Sequence, residues 1–185
     1  MTRKDWFTIP NILSYLRLIL IPFFAYYYVR AETSEEFMVA AGILVFSGLT
    51  DAVDGFIARR FNQGTKIGQL LDPIADKLTQ IVVVAVLMLR WPIFGFLFLL
   101  FVIKEGYMFI ENIRLYRKKI TLDGSKWYGK IATIVFYLTM FIAVFSPNLS
   151  NTTVTILVIL ASAYQLLAFF YYAKLFRRLH KSVDK

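Results

Sequence analysis

Cysteine is absent from the 185 residues, which excludes disulfides, thiolate metal centres and a cysteine nucleophile. Histidine occurs once, at position 180, too little for an imidazole-built zinc site. In its basic tail, His180 is expected to be solvated or to face lipid headgroups. Charge is scarce, at 18% of residues, and no long linker, repeat or low-complexity tract is present. What fills the chain is apolar: 58% hydrophobic, 18 Phe, 11 Tyr, and a mean hydropathy of +0.61. A membrane-crossing helix takes roughly 20 largely apolar residues. The hydropathy pattern supports six of them, which leaves no room for a separate soluble domain and predicts one integral membrane domain over residues 1–185.

The predicted spans are residues 11–29, 37–59, 67–89, 93–116, 127–145 and 153–176, an all-α, six-transmembrane-helix bundle. Residues 1–10, with Trp6 and Phe7 among charges, suit a short interfacial segment ahead of the first span. A signal peptide is disfavoured there, because no small-residue cleavage site follows. Pro73 is expected to bend the third helix. The net charge of +9 would suit nucleic acid in a soluble protein; in this composition it marks membrane flanks, and no nucleic-acid partner is expected. Most Lys and Arg fall on the side holding both termini, the turn near residue 62 and the 117–126 loop. The positive-inside rule places that side in the cytoplasm. The basic loop is expected to meet anionic headgroups, and Trp6, Trp91 and Trp127 to anchor at the interfaces.

Against this background, residues 51–77 stand out. Asp51, Asp54, Asp72 and Asp76 crowd into otherwise apolar sequence, where an isolated charge costs several kcal/mol and signals function. At about 100° per residue, Asp51, Asp54, Gly55 and Ala58 share one face of the second helix, with Arg59 at its edge and Val53, Phe56 and Ile57 pointing away. Gly68, Asp72, Ala75, Asp76 and Thr79 share a face of the third. A short turn makes the two helices neighbours, so the carboxylates converge, and the small residues beside them leave room for a ligand. Hard oxygen donors suit Mg²⁺, Mn²⁺ or Ca²⁺, and a pair of divalent ions suits phosphoryl transfer. A carboxylate not consumed as a ligand could take a proton from an attacking hydroxyl. The plainer alternative is that these acids only pair with Arg59, Arg60, Lys66 and Lys77. A divalent-cation transporter would favour acids at mid-membrane in repeated halves, which this chain lacks.

The pattern D-x2-D-G-x2-A-R-x8-G-x3-D-x3-D, complete from Asp51 to Asp76, carries eight fixed residues. It resembles the signature of the CDP-alcohol phosphatidyltransferases. The resemblance implies displacement of CMP from CDP-diacylglycerol by an acceptor hydroxyl, with two divalent ions, Mg²⁺ or Mn²⁺, held by Asp51, Asp54, Asp72 and Asp76. It further implies Asp76 as the base, Gly55, Ala58, Arg59 and Gly68 along the CDP site, and a homodimer in a bacterial inner membrane. The wording around residues 58–65 and 71–77, with Pro10, Asn11, Ser14, Arg17 and Pro22 earlier, resembles most closely the branch that uses glycerol 3-phosphate.

An anionic acceptor needs cations, and Lys104, Arg114 and Lys130 are available. Lys104 stands where that branch usually has Arg, keeping the charge but losing the bidentate fork. Asn112 and Ala132 replace two further cations common there, so phosphatidylglycerol, the acceptor in cardiolipin formation, remains the alternative. Lys104 and Glu105 could equally form a buried ion pair. Arg17 either reaches the acidic cluster or snorkels to the surface.

Overall fold

The computed structural model describes residues 6–61, 65, 67–118 and 126–183; the side chains at 59, 69 and 181–183 are outside that description. Six helices follow one another: α1 (Ile9–Arg30), α2 (Ser34–Arg60), α3 (Gly68–Arg90), α4 (Phe94–Arg117), α5 (Trp127–Phe145) and α6 (Asn151–Val183). No strand occurs among the described residues. The all-helical expectation therefore holds, with each helix near its predicted position. Four helices, α1, α2, α5 and α6, are long and apolar enough to cross a membrane by length and composition. In α3 and α4 the apolar run is broken by charge, at Asp72, Asp76 and Lys77 in one and at Lys104, Glu105 and Glu111 in the other.

Two helix ends differ from expectation for identifiable reasons. The polar segment 30–36, expected as loop, already contains the start of α2. The Thr33 hydroxyl accepts from the Glu36 backbone N–H at 3.3 Å, while the Glu36 carboxylate accepts from the N–H groups of Thr33 and Glu32 at 3.1 and 2.7 Å. This reciprocal box satisfies amides that the helix cannot bond itself. At the other end of the chain, α6 runs past Phe176 through Arg177, Arg178 and His180.

The chain packs as two compact units. In the first, up to Val86 and including Val144–Pro147, α1 lies against α2. Ala40 and Ala41 are fully buried and let the helices approach, while Tyr28 meets Phe24 at a tilt and Phe37 edge-on, with centroids 5.7 and 5.2 Å apart. Such aromatic pairs add to plain area burial. Val53 and Phe56 are exposed, the outward face expected of them.

In the second unit, Leu87–Ala143 with Asn148 onward, α4 packs on α6. Tyr107 meets Phe169 and Phe176 edge-on at 5.2 and 6.0 Å, above a core of Leu115, Tyr172 and Phe176. Phe101 of α4 stacks on Phe136 of α5 at 5.0 Å. Trp91 corrects the interfacial-anchor expectation: it is only 5% exposed, beside Phe94 and beneath the Arg90 guanidinium. Its position in a turn suggested an anchor, but core packing claims the ring. Trp6 and Trp127 are exposed, as an anchor requires.

Candidate functional site

The acidic residues of α2 and α3 do converge, and the element that gathers them is α1. Arg17 is 2% exposed, and its guanidinium reaches both neighbouring helices. Nη2 lies 2.7 Å from Asp51 Oδ1 and 2.5 Å from Asp54 Oδ2, and Nη1 lies 2.9 Å from Asp76 Oδ1. Asp72 is held separately, accepting from the Ser14 hydroxyl at 2.5 Å. Ser14 and Arg17 are three residues apart and so share a face of α1. Asp54 is buried, whereas Asp51 and Asp76 are partly exposed. Asp54 and Asp76 each lie within the repulsive field of Asp51 and Asp72.

The choice left open for Arg17 is thus decided: it does not snorkel, but meets the acids directly. The plainer alternative, in which the acids pair with Arg59, Arg60, Lys66 and Lys77, is altered accordingly. The cation bonding Asp51, Asp54 and Asp76 comes from another helix, and the Arg59 side chain and Lys66 lie outside the described residues. One guanidinium meets three of the four carboxylates, and like charges gathered at this density favour further positive charge. Among the described residues no three acidic or imidazole groups already form a ligand cage; Arg17 stands between them. The donor chemistry fits Mg²⁺ or Mn²⁺, since every candidate ligand is a carboxylate oxygen.

A second cluster of polar contacts fixes the start of α3. Asn11 Nδ2 donates to Thr65 Oγ1 at 3.0 Å, and Thr65 Oγ1 accepts from the Gly68 backbone N–H, also at 3.0 Å. Gly68 was expected to leave space for ligand. The structure places Asn11 there: a Cβ on Gly68 would stand 2.6 Å from Asn11 Oδ1 and 3.3 Å from Thr65 Oγ1. Gly55 and Ala58 are half-buried on the Asp54 side of α2, consistent with an accessible pocket edge, and Ala75 is fully buried. Gly68→Ala is therefore expected to displace Asn11 and the entry to α3, lowering turnover by roughly tenfold. The expected mild loss of folding, about 1–3 kcal/mol for overpacking, is checked by thermal melting in detergent alongside the rate.

The cationic residues expected to meet an acceptor all lie in the second unit. Lys104 is 4% exposed and sits 3.0 Å from Glu105 Oε1, so the buried-pair alternative describes what is there. Lys130 is exposed on α5. Arg114 is mostly exposed and bonds Glu111 Oε1 at 2.6 Å. The other Glu111 oxygen lies 2.8 Å from His180 Nε2, which corrects the solvated role expected for that histidine. Glu111, Arg114 and His180 border a cavity of about 520 Å³, lined also by Tyr107, Arg117, Lys118 and Arg177. The meeting of α4 and α6 that brings His180 there depends on tertiary packing and has no local signature.

Apolar helices with an acidic cluster clasped inside them define a helical membrane protein built to handle charge within its own interior. The sequence profile of the CDP-alcohol phosphatidyltransferases matches residues 7–171. The chain belongs to that transferase family. The CDP-diacylglycerol–glycerol-3-phosphate 3-phosphatidyltransferase of Aquifex aeolicus is 33% identical over 138 residues, 71% of this chain and 72% of its own. That of Escherichia coli K12 is 48% identical over 71 residues, 38% of each chain. A putative cardiolipin synthase of Mycobacterium bovis is 33% identical over 136 residues, 74% of this chain and 64% of its own. The matched region thus spans less than two thirds of the mycobacterial and Escherichia proteins.

Proposed function

We propose that the chain is a single six-span domain that transfers the phosphatidyl group of CDP-diacylglycerol to the hydroxyl of glycerol 3-phosphate, releasing CMP. The observation that carries this proposal is the convergence of Asp51, Asp54 and Asp76 on one buried guanidinium, with Asp72 beside them on Ser14. Asp51, Asp54, Asp72 and Asp76 would hold two divalent ions, which supply charge neutralisation of the pyrophosphate and of the transition state. Gly55, Ala58, Arg59 and Gly68 border the nucleotide end. Asp76 takes the proton of the acceptor hydroxyl as its oxygen bonds to the lipid-bearing phosphorus and the phosphorus–oxygen bond to CMP breaks. The cations for the acceptor phosphate are Lys104, Arg114 and Lys130.

The charged helices α3 and α4 span as well in this proposal, since Asp76 of α3 is met by Arg17 and Asp72 by Ser14 rather than left to lipid. Both termini and the acidic cluster face the cytoplasm of a bacterial inner membrane, and the enzyme works as a homodimer. Phosphatidylglycerol is the second acceptor to weigh, because Asn112 and Ala132 lack the charge common in the glycerol 3-phosphate branch and several relatives are named cardiolipin synthases.

One assay tests the acceptor. Purified protein in detergent receives CDP-diacylglycerol and Mg²⁺ or Mn²⁺ with either glycerol 3-phosphate or phosphatidylglycerol. Glycerol 3-phosphate is expected to be preferred by at least about tenfold in kcat/KM, a difference of roughly 1.4 kcal/mol in transition-state binding. Cardiolipin as the dominant product would replace this acceptor with the other.

A further inference from the structure

We propose that Arg17 is an exchangeable counter-ion of the acidic site. Its Nη2 holds the position between Asp51 and Asp54 that a divalent cation takes, so arginine and cation occupy those oxygens in turn. The inference rests on the metal-binding role proposed for the aspartates and adds a residue and a behaviour to it.

Three observations support exchange rather than coexistence. First, one nitrogen is within 2.7 Å of oxygens from both Asp51 and Asp54. A Mg²⁺ ion approaches its ligands to 2.0–2.1 Å, so an ion entering between those two oxygens competes with the nitrogen for the same space. Second, a guanidinium keeps its charge at any ordinary pH. It cannot be neutralised in place, so an arriving cation meets its full repulsion unless it moves. Third, among the described residues the buried Nε of Arg17 has no hydrogen-bond partner. A well-fitted permanent arginine uses all its donors, whereas this one is held by charge with part of its donor set unspent. The Nη1 contact with Asp76 is on the other arm of the fork, so the head can leave Asp51 and Asp54 without abandoning the cluster.

Such an arrangement solves a problem that four carboxylates pose in a membrane. Without ions they would repel one another; with Arg17 inserted, the helices stay together until ions and substrate arrive. It also makes the free site weaker for metal than its charge suggests, because each binding event first has to dislodge an internal competitor.

The test uses the full chain in detergent, with Mn²⁺ binding followed by electron paramagnetic resonance and thermal melting recorded in EDTA and in saturating Mn²⁺. Arg17→Gln is expected to bind Mn²⁺ at least about tenfold more tightly than the unmodified chain. It should melt lower in EDTA and recover most of that loss when Mn²⁺ is added. Arg17→Lys separates exchange from a general charge effect: it keeps the charge but loses the fork, so tighter Mn²⁺ binding by this variant supports displacement. Affinity in Arg17→Lys equal to or weaker than the unmodified chain overturns the proposal, even if Arg17→Gln does not fold. Asp51→Asn serves as the control. If it and the unmodified chain bind Mn²⁺ alike, the aspartates are not the metal site, and the broader proposal fails together with this one. Loss of Mn²⁺ in Asp51→Asn with no tightening in the Arg17 variants sinks the exchange alone.

Discussion

Asp76→Asn is expected to lower CMP release by about 10²–10⁴-fold, the range in which a positioned general base contributes. The amide keeps the size of the side chain and one oxygen able to accept from Arg17 Nη1, now 2.9 Å from the carboxylate. It cannot take up a proton from an attacking hydroxyl. Binding of Mn²⁺ should therefore survive in this variant better than in Asp72→Asn, whose carboxylate is held apart on Ser14 and is assigned to the ions alone. The two variants thus split metal occupancy from turnover. Full activity in Asp76→Asn removes that residue as the base, and equal loss of Mn²⁺ in both leaves it a ligand alone.

The second large effect is chelation. EDTA is expected to bring CMP release down by more than about 10³-fold, with recovery on adding Mg²⁺ or Mn²⁺. Several kcal/mol of transition-state stabilisation accompany ions in a two-metal phosphoryl site, and each 1.36 kcal/mol is a factor of ten in rate. Every candidate ligand is a carboxylate, so no thiolate or imidazole holds the ions against a chelator. Turnover that persists unchanged in EDTA would remove the ions from the reaction and leave Arg17 as the cation of the site.

Much of this was readable before any coordinates, and the reason differs by residue. The aspartates could be placed on two facing helices because helical spacing alone sorts them onto one side of each. Asp51, Asp54 and Asp76 meet as that geometry requires. Their partner could not be assigned, since nothing local to Arg17 tells a cation that snorkels from one that turns inward; the answer lies in how α1 packs on α2. Gly68 was legible as a site demanding a small residue, but what fills its space, Asn11, lies 57 positions earlier in the chain. The start of α2 was written in Thr33 and Glu36 as a capping box, a local signal outweighed by the polar look of the segment. Trp91 and His180 turned on tertiary packing in the second unit, which no local pattern encodes.

The charge carried by α3 also bears on how the chain is made. A helix with Asp72 and Asp76 released alone into lipid would face a cost for both acids, up to about 2.5–3.5 kcal/mol for an aspartate at a helix centre and less towards the end where these two lie. Translation runs from the amino end, so α1 with Arg17 and α2 with its own two acids leave the ribosome first. By the time α3 emerges, the guanidinium that receives Asp76 and the hydroxyl that receives Asp72 are already waiting. In the six-span proposal, insertion of the third helix thereby becomes a docking step onto a hairpin made moments earlier.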